Sequence, residues 1–287
     1  MCPLCQNRFS KITKKGIFTT RRGRKIQRYK CHGCSKTFSD QTSTPGYRLR
    51  RFGLRHRIFR EFCRGIAQRE IAIELGVHRD TVARLLKVIS KIAKQQNTRT
   101  RKTSSPQTVV FDEMETFEHT KCKPVSIVVV VEEKSRKILA LEAAQMPAKG
   151  HLAAISRRRY GIRADHRPQA LRKSLTYLKE YKDLKLIKSD RSPRYPKYLN
   201  EVLPMIPHKT FKGRRGCVVG QGELKRGGFD PLFALNHTCA RIRDLLKRLS
   251  RRTWCTTKLI ERLQMFLEIF ACHFNKRLNG KKRPRLD

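Results

Sequence analysis

Acidic residues are scarce in this chain. Its 287 residues hold 23 Asp and Glu against 67 Lys and Arg, a formal net charge of +44. So large an excess, spread along the whole length, is held together only near a polyanion, and nucleic acid is the usual one. Long apolar runs are missing too: none approaches the ~20 residues of a membrane span. Neither a basic amphipathic surface helix nor a lipidation signal stands out, so no membrane partner is expected. There is no internal repeat, and a single Trp. No secretory leader is read, since Cys2 follows Met1 directly; that predicts a cytoplasmic, nucleoid-associated protein and argues against a disulfide framework. Hydrophobic residues make up 38%, enough for at least one sizeable core. The length suits two or three domains.

Cysteine is present in a telling arrangement. Cys2-x-x-Cys5 and Cys31-x-x-Cys34 are two pairs separated by 25 residues. Each pair presents two thiolates from one tight knuckle, and two knuckles supply the four soft ligands of tetrahedral zinc. Residues 1–45 therefore read as a zinc ribbon. Between the knuckles Ile17, Phe18, Thr19 and Thr20 flank the turn Arg22-Gly23-Arg24, a hairpin composition, and Lys36 to Ser39 suits a last short strand. The cysteines at 63, 122, 217, 239, 255 and 272 stand singly and read as buried thiols.

Residues 50–92 turn helical. One helix runs to Leu75, Gly76 permits a tight turn, and a second helix starts near Arg79. Ala72 is small where the helices would cross, with Ile71, Leu75, Val77, Val82 and Leu85 as apolar contacts. This is the helix-turn-helix layout, whose second helix docks its first turn in the DNA major groove. Its candidate contacts are His78, Arg79, Thr81 and Arg84. Residues 93–107 hold almost nothing apolar and read as a linker.

From Thr108 the period changes. Val109 to Asp112, Ser126 to Val131 and Lys137 to Leu141 read as an antiparallel meander. A helix follows from Gln169 to Tyr181, then a strand from Leu184 to Asp190, a short helix from Tyr198 and a strand from His208. Closing helices are predicted over 231–249 and 257–274. Three strands, helix, strand, helix, strand and terminal helices is the order of a ribonuclease H-like α/β domain, here residues 108–287. In such a sheet Asp112 and Asp190 lie side by side. Two close carboxylates repel unless a cation sits between them, and hard Mg²⁺ takes oxygen ligands. Paired ions of that kind promote phosphodiester cleavage and transfer.

Zinc ribbon, helix-turn-helix and acid-bearing sheet together make a multidomain chain that resembles bacterial insertion-sequence transposases of the DDE class, in the compact branch with an N-terminal ribbon-and-helix module. The likeness extends to Phe111-Asp112-Glu113-Met114-Glu115-Thr116, to Lys188-Ser189-Asp190 and, most specifically, to the run from Leu246 to Lys258. It implies an enzyme that binds transposon ends in double-stranded DNA. Such an enzyme cleaves and joins strands with Mg²⁺ or Mn²⁺ on Asp112 and Asp190, as a homo-oligomer on DNA. That branch usually has a Glu entering the helix before the Arg-Arg-Thr run; here the position is Asn236, with Glu223 and Asp230 as the acidic alternatives. Asn binds Mg²⁺ more weakly than Glu, which leaves open a DNA-binding regulator with a degenerate catalytic domain. His237 is either a packed histidine or a phosphate contact. Arg251, Arg252 and Lys258 around Trp254 suit phosphate contacts with one aromatic to stack on a base.

Overall fold

The computed structural model describes residues 1–20, 23–44, 47, 51, 53–212, 230–250 and 255–279. The chain divides into two units, Met1–Arg57 and Ile58–Asp287. In the first, β1 (Ile12–Thr19), β2 (Lys25–Cys31) and β3 (Thr37–Ser39) form an antiparallel meander. This is the hairpin and last strand that the sequence between and after the knuckles predicts. Among the described residues up to 44, only Cys2, Ile26 and Cys31 are buried apolar side chains, while Phe9 is 98% exposed. A sheet with so thin a core needs another source of cohesion.

Helix α1 (Leu54–Cys63) spans the division between the units. In the second unit Phe62 meets the Phe266 ring edge-on at 5.3 Å. The chain then turns at Gly65, where φ is +74° and a Cβ would sit 2.1 Å from the Leu245 carbonyl oxygen. Only glycine fits both demands.

Two helices follow, α2 (Gln68–Glu74) and α3 (Arg79–Lys102). Gly76, with φ +56°, turns between them. Ile71, Ala72, Leu75, Val82 and Leu85 are buried as the apolar spacing predicts, while Val77 is only half-buried. His78 caps α3, its Nδ1 accepting the Asp80 N–H at 3.3 Å.

The expected linker over 93–107 is corrected here: α3 continues to Lys102, a helix of 24 residues, about 36 Å long at 1.5 Å per residue. Lys, Gln and Arg are good helix formers. The stripe Ile89, Ala93 and Asn97 is buried where α3 packs on α8 (Ile260–Asn279). Asn97 donates to the Glu268 carbonyl at 3.0 Å and to its carboxylate at 2.7 Å. Arg101 lies 4.2 Å above the Tyr177 ring. Only residues 103–107 connect α3 to the sheet.

That sheet has five strands in the order β6-β5-β4-β7-β8. β4 (Thr108–Phe117), β5 (Pro124–Glu132) and β6 (Ile138–Gln145) are the antiparallel meander; β7 (Leu186–Asp190) and β8 (His208–Phe211) lie parallel to β4. β4 outruns the expected stop at Asp112 because β5 pairs with it through Phe117. Every residue of β5 from Val125 to Val131 is buried, as in a strand covered on both faces.

One face carries Val109, Phe111, Val128, Val130 and Ile187 against α5 (Arg167–Thr176) and α6 (Tyr195–Val202). The alternate residues Val110, Val129 and Val131 are buried as well and point to the opposite face. There α7 (Phe233–Leu245) packs on β4 and β5. A further helix, α4 (Leu152–Tyr160), lies in the crossover from β6 to β7. The free edge of β6 is closed by amides of α8. Gln264 pairs with Ala143 N–H at 2.9 Å and Leu141 C=O at 2.8 Å, and Asn275 with the N–H and C=O of Ile138 at 2.8 and 2.9 Å. This blocks further strand pairing at that edge. Among the described residues no helix is long and apolar enough to cross a membrane.

Candidate metal centres

The four sulfurs of Cys2, Cys5, Cys31 and Cys34 lie within 4.8 Å of one another. Cys2 to Cys34 and Cys5 to Cys31 are both 3.8 Å. A tetrahedron with Zn–S bonds of about 2.3 Å has edges of about 3.8 Å, so the donor set fits zinc. Local backbone explains the closeness. Gln6 and Ser35, each directly after the second cysteine of a pair, are both left-handed, with φ of 57° and 55°. At Gly33, inside the second knuckle, a Cβ would meet Ser10 Oγ at 2.1 Å. The N–H of Cys34, helped by that of Gly33 and opposed by burial, holds the Cys31 thiol down to about 6. A thiol so placed is ready to ligate as thiolate. Together the four cysteines can hold a metal ion such as zinc.

The second centre is the acid pair. β4 and β7 run parallel with Thr108 opposite Leu186, Val109 opposite Ile187 and Val110 opposite Lys188. Two residues further along each strand stand Asp112 and Asp190. Burial, and then the charge of Asp190, push the Asp112 carboxyl up to about 6, the signature of an acid facing a like charge in a dry place. Asp112 Oδ1 accepts the Glu113 N–H at 2.7 Å and the Tyr195 hydroxyl at 3.0 Å. Asp190 Oδ1 accepts the Ser192 N–H at 3.0 Å. Two oriented carboxylates of this kind suit a hard divalent cation.

Sequence reasoning passed over two neighbours. Tyr195, the first residue of α6 and 2% exposed, fixes one oxygen of Asp112. Arg194 beside it pairs with Glu113, whose other oxygen accepts from Ser126 at 3.0 Å. A usable signal was present: both follow Asp190 within five residues, where Pro196 opens a helix.

The third position is less well supplied. Cys239 on α7 is pushed up to about 12 by burial and then by the charge of Asp112, which places this helix beside the acid pair. Asn236, one turn earlier, is exposed and donates its Nδ2 to Asp230 at 2.9 Å. Asp230 also accepts the Leu232 N–H at 2.9 Å, a turn bond just before α7 rather than a cap, since Leu232 is the N-cap. Glu223 lies outside the described residues. Among the described residues the four cysteines are the one cluster of three or more metal-ligating side chains, so Asp112 and Asp190 form no such cluster with a third described residue. His237 lines a pocket with Arg136 and Arg241.

Of the expected DNA contacts, His78, Arg79, Thr81 and Arg84 share the first two turns of α3, with His78, Arg79 and Arg84 exposed and Thr81 half-buried. Lys258 donates to His119 Nδ1 at 3.0 Å. Arg251, Arg252 and Trp254 lie outside the described residues. Comparison with protein-family models matched none, and comparison with curated proteins gave no match.

Proposed function

We propose that this chain is a DNA transposase of the DDE kind, built from a zinc ribbon, a helix-turn-helix and a ribonuclease H-like catalytic domain. The observation that carries the reading is the acid pair on adjacent parallel strands of a mixed sheet, with Asp112 raised by burial and then by the charge of Asp190. The order β6-β5-β4-β7-β8 with β5 antiparallel supports the ribonuclease H-like assignment. A solvated, basic helix start after the Gly76 turn supports the DNA-reading one, and the +44 charge supports a nucleic-acid substrate.

In this reading Asp112 and Asp190 hold Mg²⁺ or Mn²⁺, which when bound polarises the phosphodiester and promotes attack by water or a 3′-hydroxyl. Tyr195 and the Glu113 N–H fix one oxygen of Asp112, and the Ser192 N–H fixes Asp190. The carboxylates thus meet the cation already oriented. Arg194 neutralises Glu113 and keeps a third negative charge from competing. The ribbon and α3 would locate transposon ends, with the chain acting as an oligomer on double-stranded DNA.

The engagement of Asn236 with Asp230 favours a second reading, a DNA-binding regulator with a degenerate catalytic domain. One experiment separates them: full-length protein is incubated with the DNA flanking its gene, with and without Mg²⁺ or Mn²⁺. Metal-dependent cleavage and joining, abolished in Asp112→Ala and Asp190→Ala while end binding persists, is the transposase outcome. Asn236→Ala should lose less rate than either. Specific binding with no metal-dependent cleavage selects the regulator, and joining that survives Asp190→Ala refutes the acid-pair mechanism.

A further inference from the structure

A pocket of about 260 Å³ opens between α7, α8 and the β5–β6 turn, lined by Arg136, His237, Arg241, His273 and Arg277 with apolar side chains beneath. Its volume is far above the roughly 10–15 Å³ that admits one water. Three guanidinium groups and two imidazoles converge there, and no acid lines it. Arg241 alone has a carboxylate partner, Asp244 at 2.7 Å, whose side chain is 62% exposed. No salt bridge or side-chain hydrogen bond holds Arg136 or Arg277 among the described residues. A cluster of like charges without counter-charge raises the local concentration of anions.

Two independent observations point the same way. His237 lines the pocket, and its Nδ1 is buried with no hydrogen-bond partner among the described residues. Arg136 holds a left-handed backbone, φ +61°, in a turn where glycine or asparagine would sit without strain. Strain kept at a non-glycine residue is a mark of a side chain with a task, and this side chain reaches the pocket. Burial, then the charges of Arg136 and Arg241, hold the His237 ring below its ordinary value.

We propose that this pocket binds a phosphate group. Planar guanidinium forks pair with tetrahedral oxyanions through two parallel N–H bonds, and three of them at one opening suit phosphate better than a planar carboxylate. The site does not depend on the acids holding metal. Its residues on α7, at 237, 241 and 245, follow a stripe separate from Cys239, which feels Asp112.

The test is calorimetric titration of full-length protein with inorganic phosphate at fixed ionic strength in chloride. The expected result is saturable binding of one phosphate per chain. Arg136→Gly and Arg277→Ala should each weaken it about tenfold or more, the usual worth of a charge-assisted hydrogen bond. Arg136→Gly should melt no lower than the parent, because it relieves the left-handed backbone, so lost binding there is not lost folding. Lys179→Ala, an exposed charge outside the pocket, should bind as the parent does, and so should Asp112→Ala. A duplex competition arm identifies the source. If the group is a nucleic-acid backbone phosphate, the two arginine variants also lose duplex affinity and phosphate competes with DNA. If it is a free phosphate, duplex affinity is unchanged. Binding that never saturates, or that Arg136→Gly leaves intact, or that Lys179→Ala weakens equally, overturns the proposal.

Discussion

Replacing Asp112 by Asn tests the electrostatic core of the proposed centre. In metal-free protein the carboxyl moves from 3.8 to about 6 on folding, chiefly through burial and then the charge of Asp190. At ~1.4 kcal/mol per pH unit this disfavours the folded, charged state by about 3 kcal/mol. The sign follows from proton counts: between pH 4 and 6 the folded chain holds the proton and the unfolded chain does not. Stability therefore falls as pH rises through that window, with the full cost above pH 6 and none below pH 4. Asn keeps the shape, and its Oδ1 can still accept from Tyr195 and Glu113. At pH 7.5 without divalent metal, Asp112→Asn should gain up to about 3 kcal/mol, roughly 6–12 °C in Tm for a unit of this size. At pH 4 the gain should vanish. Saturating Mg²⁺ should stabilise the parent by about 2.7 kcal/mol at a hundred times its Kd, raising its Tm, and leave the variant unmoved. Calorimetric melts at the two pH values, with and without Mg²⁺, measure all of this. A variant equally or less stable than the parent at pH 7.5, or one that responds to Mg²⁺ as the parent does, would refute the reasoning.

Three other outcomes are expected. One zinc per chain should be found by metal analysis, and Cys31→Ser should lose it and unfold the ribbon, since binding and folding free energy are shared; full zinc content in that variant contradicts the four-thiol site. Arg79→Ala should weaken binding to the specific end sequence by about 1–3 kcal/mol while binding to random DNA changes little; equal binding of both DNAs by parent and variant removes α3 as the reading helix. Gly65→Ala should cost at least about 2 kcal/mol, because a left-handed backbone and a Cβ 2.1 Å from the Leu245 carbonyl oxygen leave it no room; an unchanged Tm would mean that the two segments are not in contact.

Features that depend on local chemistry were legible from sequence. The thiol cluster follows from ligand type and spacing, and β5 from an apolar run too short for a buried helix yet rich in β-branched residues. Asp112 and Asp190 stood out because acids are rare here and both end apolar runs. What escaped depends on distant partners. The second half of α3 is polar, and its helix is secured by Asn97 reaching Glu268 across 171 residues. Tyr195 reads as an ordinary core aromatic until its hydroxyl meets Asp112 across 83 residues. Asn236 was found by counting along the chain, which cannot show that its amide faces Asp230.

The length of α3 changes what the proposed enzyme can do. A flexible linker would let the DNA-reading turn and the acid pair sample many separations, so that cleavage position would be set by the DNA alone. Instead α3 begins at the His78 cap, packs along α8 and ends where Arg101 lies over Tyr177. α8 in turn is hydrogen-bonded to β6 by Gln264 and Asn275, two strands from β4 and Asp112. The start of α3 and the two acids lie in one compact unit of the chain, joined by these contacts. On the proposed function, the distance between the sequence that is read and the phosphate that is cut is then fixed by protein rather than by a tether. On that function, a duplex too straight to reach both points from one chain would have to bend or be cut by a second copy.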